Sequence, residues 1–87
     1  MALTSNVVTT NASTAVLIKK AGSNPIKLNL HNSSGGVIYL GGANVSSANG
    51  YHLSNAENLE LTLLAGNSLF GLAGSGSKDI AWFEQDI

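Results

Sequence analysis

The sequence contains no cysteine and no arginine, and only one proline, Pro25, in 87 residues. Without cysteine there is neither a disulfide nor a thiolate metal site, so a domain this small depends on its own core or on a neighbouring chain. Without arginine, and with four lysines against five acidic residues, the chain cannot neutralise a run of phosphates, which excludes DNA and RNA as principal ligands. Long apolar runs are missing too. No uninterrupted apolar stretch exceeds four residues, as at Ala15–Ile18, whereas a membrane-spanning helix needs ~20. Met1–Asn6 lacks the basic start and apolar core of a secretory signal, so the expectation is a protein made in a cytoplasm, with the sequons at Asn11, Asn32 and Asn44 arising by chance.

Charged residues make up only 10% of the chain, against about 25% in an average soluble domain. Ten Asn, eleven Ser, five Thr and ten Gly supply the polarity instead. Such side chains form hydrogen bonds without the desolvation cost of an ion, which suits turns and also surfaces that a neighbour covers. The length fits one domain with one core.

Alternation is the clearest periodic signal. Ile26, Leu28 and Leu30 are separated by Lys27 and Asn29, and Leu59, Leu61 and Leu63 by Glu60 and Thr62, the period of two of a half-buried strand. Val7–Thr10, Thr14–Lys19, Val37–Leu40, Ser68–Leu72 and Asp79–Glu84 are rich in β-branched, aromatic or large aliphatic residues, giving about seven strands. Gly22-Ser23-Asn24-Pro25, Ser33-Ser34-Gly35-Gly36, Ala65-Gly66-Asn67 and Gly74-Ser75-Gly76-Ser77 punctuate them, and these short gaps read as hairpin turns. One connection, Gly41–Leu53, is long, with room for a short extra strand at Tyr51–Leu53. The expected class is all-β, a small antiparallel β-sandwich or jelly-roll-like barrel with Ile26, Leu28, Leu30, Leu59, Leu61, Leu63, Ile80 and Trp82 facing inward. Residues 14–87 form that single domain. Residues 1–13 are either an arm that orders against a partner or the first edge strand.

Chemistry is sparse. His31 falls on the polar face of its strand and His52 at a loop end, neither beside a nucleophile. The His, Asp and Glu residues show no metal-ligand spacing, and Gly74–Ser77 lacks the lysine and helix of a phosphate loop. Neither catalytic residues, a metal nor a cofactor is expected. Tyr39, Tyr51 and Trp82 are of the type that stacks on sugar rings, but core packing explains Trp82, which shares a face with Ile80.

From Asn32 onward the chain resembles a family of small β domains in virion structural proteins of tailed bacteriophages. The resemblance rests on Asn32, the run Gly36-Val37-Ile38-Tyr39-Leu40-Gly41-Gly42, Val45-Ser46, Asn49-Gly50, Leu53, the alternating Leu59–Leu63, Gly66, Leu69-Phe70-Gly71-Leu72-Ala73 and Asp79-Ile80-Ala81-Trp82-Phe83-Glu84. It spans about two thirds of the chain and departs at Asn67, often acidic in such domains. It implies a non-enzymatic head decoration or cement protein on the capsid surface of the virion, with the major capsid protein and copies of itself, as a homotrimer, for partners. The alternatives are a glycan- or receptor-binding module, or a fibre or tail component. The candidate interface residues are Val7, Val8, Thr9 and Thr10, whose β propensity suits strand addition, and Asn44, Val45, Tyr51 and His52 of the long loop and its end.

Overall fold

The computed structural model describes residues 3–86, so residues 1 and 2 of the segment read as either an arm or an edge strand lie outside the described part. Eight strands follow one another: β1 (Leu3–Asn11), β2 (Val16–Lys20), β3 (Ile26–His31), β4 (Ile38–Gly41), β5 (Tyr51–Leu53), β6 (Asn58–Leu63), β7 (Ser68–Ala73) and β8 (Ser77–Asp86). They form two four-stranded sheets, β1-β8-β3-β6 and β2-β7-β4-β5, in which every pair is antiparallel. This interleaved order is that of a jelly roll. The all-β sandwich expected from the sequence is therefore present, with Tyr51–Leu53 as an eighth strand.

The alternation sets which side chains lie between the sheets. Ile26, Leu28 and Leu30 on β3, Ile80 and Trp82 on β8, and Leu63 on β6 are buried, and Ile18, Ile38, Leu40, Leu53 and Leu69 meet them from the second sheet. Leu59 and Leu61 point the same way but are only half-buried, because β6 is a sheet edge and the edge strand of the other sheet, β5, is three residues long. Replacing the fully enclosed Leu28 with Ala should cost about 2–5 kcal/mol in a urea unfolding curve. The same change at Leu61 should cost about half as much, since part of that side chain already meets water.

The short gaps are not hairpins, contrary to the reading of the turn residues. Every connection except that between β4 and β5 passes from one sheet to the other, Gly74–Gly76 included. The one sequential hairpin, β4–β5, is closed by the longest loop, residues 42–50. A few residues suffice to cross the ~10 Å between packed sheets, so a short gap rich in Gly and Ser does not say whether the next strand pairs or crosses.

Two polar features join the layers. Lys19 on β2 forms an ion pair with Glu84 on β8, and its ammonium lies 4.8 Å from the centroid of the Trp82 ring. Asn32, fully buried just after β3, ties together the loops at one end of the sandwich. Its side-chain amide donates to the carbonyls of Gly36 and Leu53, both at 2.7 Å, and its side-chain oxygen accepts from the Ser34 N–H and hydroxyl. Its backbone N–H donates to Glu57 O and its carbonyl accepts from the Ala56 N–H. Ala56 holds a left-handed conformation, φ 69°, to make that last bond. Glycine carries no Cβ penalty there, so Ala56→Gly should raise stability by up to about 1 kcal/mol, read as a higher melting temperature.

Candidate interaction surfaces

The eight candidate interface residues fall on two opposite flanks of the sandwich. Val7, Val8, Thr9 and Thr10 belong to β1, an edge of the first sheet. Their side chains alternate: Val7 is exposed, Val8 packs against the core, Thr9 is exposed and Thr10 is completely buried. The Thr9 hydroxyl donates to Asp79 Oδ1 and the Thr10 hydroxyl to Lys78 O, each at 2.7 Å, so both threonines bind β1 to β8. Half of this quartet is therefore internal.

Asn44, Val45, Tyr51 and His52 lie at the other flank, around the hairpin of β4 and β5. The loop holds its own shape. Val45 N–H donates to Gly42 O, Gly50 N–H to Ser46 O, Ser46 N–H to Asn49 Oδ1, and the Asn49 amide to Asn44 O. Val45 is buried beneath it while Asn44 is exposed. Tyr51 is exposed, and His52 meets Tyr39 edge to face with ring centroids 4.8 Å apart. Gly50 is where the loop closes on β4: a Cβ there would sit 2.5 Å from Tyr39 Cβ and 2.8 Å from Ser46 O. Backbone cannot yield as a side-chain tip does, so Gly50→Ala should cost about 1–3 kcal/mol in a denaturant titration.

The structure also shows two concavities that sequence reading missed. The outward side chains of the first sheet border a groove of ≈ 590 Å³ that spans all four strands, with Ser5, Val7, Asn29, His31, Asn58 and Phe83 in its lining. None of its lining residues is charged, and His31 Nδ1 is hydrogen-bonded to Asn58 Oδ1. The alternation in β3 already puts Asn29 and His31 on one face. What the sequence does not reveal is that β8 lies beside β3 and brings Phe83 opposite Asn29. A smaller apolar hollow of ≈ 330 Å³ opens between β5 and β6, where Leu40, Tyr51, Leu59, Leu61 and Leu69 meet.

Tyr39, Tyr51 and Trp82 do not converge. Trp82 closes the core, Tyr39 packs on His52, and Tyr51 lines the smaller hollow. His31 and His52 lie on different sheets, and among the described residues no three His, Asp or Glu side chains gather in a way that could hold a metal ion.

No family model matches the chain, and no curated protein does. Among solved structures, the fold is similar to a chain from Bacillus endospore appendages, described as a novel family of disulfide-linked pili. The TM-score is 0.51 at 12% identity, over 98% of this chain and 88% of that one.

Proposed function

We propose that this chain is a non-catalytic structural protein whose role is contact with other subunits, and specifically a decoration protein bound to the major capsid protein on the outside of a phage head. The observation that supports this most directly is its surface. Val7 and Phe83, 56% and 40% exposed, share one uncharged groove on the first sheet of a domain with only nine charged residues. Surfaces of that kind suit burial against a partner, since little ion desolvation opposes it. The fold likeness to an appendage protein is compatible with use as a building block. The disulfide linkage of those pili has no counterpart in a chain without cysteine.

The test is co-sedimentation of the purified protein with phage heads that lack it. Saturable binding and a higher temperature of head disruption support the reading, because a ligand that binds only the closed shell stabilises it. No binding at micromolar protein overturns it. A second reading, a glycan-binding module, is favoured by the uncharged groove on the first sheet, where amide, hydroxyl and imidazole groups surround Phe83. In that case the isolated protein binds host cells, and Phe83→Ala removes the binding.

A further inference from the structure

The sandwich has four strand edges, and three of them carry features that obstruct pairing with another strand. The β2 edge is broken by a register shift between Leu17 and Lys19 and bears Lys19 and Lys20. The β5 edge is three residues long. The β6 edge has Glu60 near its middle, within 3.4 Å of the Lys27 ammonium. Short edges, irregular pairing and charge are the usual means by which sheets avoid joining end to end.

The β1 edge has none of them. It runs nine residues, LTSNVVTTN, without a charged side chain or a proline, and its register with β8 is unbroken from Leu3–Gln85 to Asn11–Ser77. Its outward side chains include two of the most exposed apolar groups of the protein, Leu3 at 67% and Val7 at 56%. The Val7 N–H is taken by the Asn6 side-chain oxygen at 2.8 Å, a local contact that a ladder of main-chain hydrogen bonds can replace.

We propose that β1 pairs antiparallel with β1 of a second copy of this chain, about a two-fold axis, so that two four-stranded sheets become one of eight strands. The side chains select a register. With the axis at Ser5, the two strands pair over residues 3–7: Leu3 of each copy lies opposite Val7 of the other, Ser5 faces Ser5, and both exposed apolar groups gain an apolar partner across the strands. An axis at Val7 instead sets Leu3 against Asn11. A second copy fits because the segment is uncharged and the whole chain carries a net charge of only −1, so repulsion between copies is weak. The two-fold makes the contact isologous and closed, which gives a dimer and not the trimer implied by the phage resemblance. The inference stands on the strand edges alone and does not depend on capsid binding.

Sedimentation equilibrium of the full chain over a wide concentration range tests it, with Ser5→Lys on β1 and Thr62→Lys on β6 as the pair of variants. Both positions are exposed, so both variants should keep the native spectrum and Trp82 fluorescence. The unmodified chain and Thr62→Lys should share a dimer mass at high concentration, and Ser5→Lys should weaken dimerisation at least tenfold. Should Ser5→Lys fail to fold, Val7→Ser replaces it, with several-fold weaker association expected. A monomer at every concentration, a trimer, an open-ended series of masses, or equal effects at Ser5 and Thr62 would each overturn the proposal.

Discussion

Replacing Asn32 with alanine should lower the unfolding free energy by about 2–4 kcal/mol, more than any loop substitution of similar size. The amide it removes satisfies two carbonyls, those of Gly36 and Leu53, and its oxygen satisfies Ser34, all around a side chain with no exposure. A buried polar group left without its partner costs about 1–3 kcal/mol, and here several are left at once. Aspartate at the same position gives a sharper test. Ser34 still donates twice to one carboxylate oxygen, but complete burial and the two carbonyls facing the other oxygen oppose the charge more strongly, so the folded state favours the protonated form and its pKa rises above the unfolded value of about 3.9. A raised folded pKa means that stability is greatest below the unfolded pKa and falls as pH increases through the folded one. Asn32→Asp should therefore unfold more readily at pH 7 than at pH 4, the reverse of ordinary acid denaturation. A pH-independent stability for this variant would show that the carbonyls turn to water.

Removal of residues 3–13 should abolish cooperative folding altogether. That segment supplies all of β1, which pairs with β8 over nine positions, together with the buried Thr10 and the core contact of Val8. Domains of this size hold about 5–15 kcal/mol in total, less than the loss of one strand in eight takes away. Far-ultraviolet circular dichroism and Trp82 fluorescence on heating should show no sigmoidal transition. A cooperative melt in the truncated protein would mean that β1 is dispensable to the core and available to a partner.

The sequence discloses the strands of this fold better than their arrangement. Ile26-Lys27-Leu28-Asn29-Leu30 can bury one face only by alternating, and the structure buries Ile26, Leu28 and Leu30. Leu61 shows where that logic stops: its parity is right, but its exposure depends on whether a neighbouring strand covers it, which periodicity does not encode. Gly74-Ser75-Gly76-Ser77 shows the same limit for turns, since those residues permit a tight bend equally well within a sheet or between two. The groove was hidden for a related reason. Val7, Phe83, Asn29 and Asn58 come from strands distant in sequence, and only the order β1-β8-β3-β6 places them side by side.

That strand order also dictates when the protein can fold. β8, made after the other seven strands, is an interior strand of its sheet and lies between β1 and β3. Until residues 77–86 have left the ribosome, β1 has no partner in its sheet and β3 has only β6, so the apolar faces of Val8, Leu28 and Leu30 cannot close over Ile80 and Trp82. Closing the first sheet therefore joins the last of the eight strands to the first, a pairing of high sequence separation and so of the slow kind. During that interval the nascent chain displays unpaired edges and open leucine rows, a vulnerable period in which a chaperone or an early partner has its greatest effect on yield.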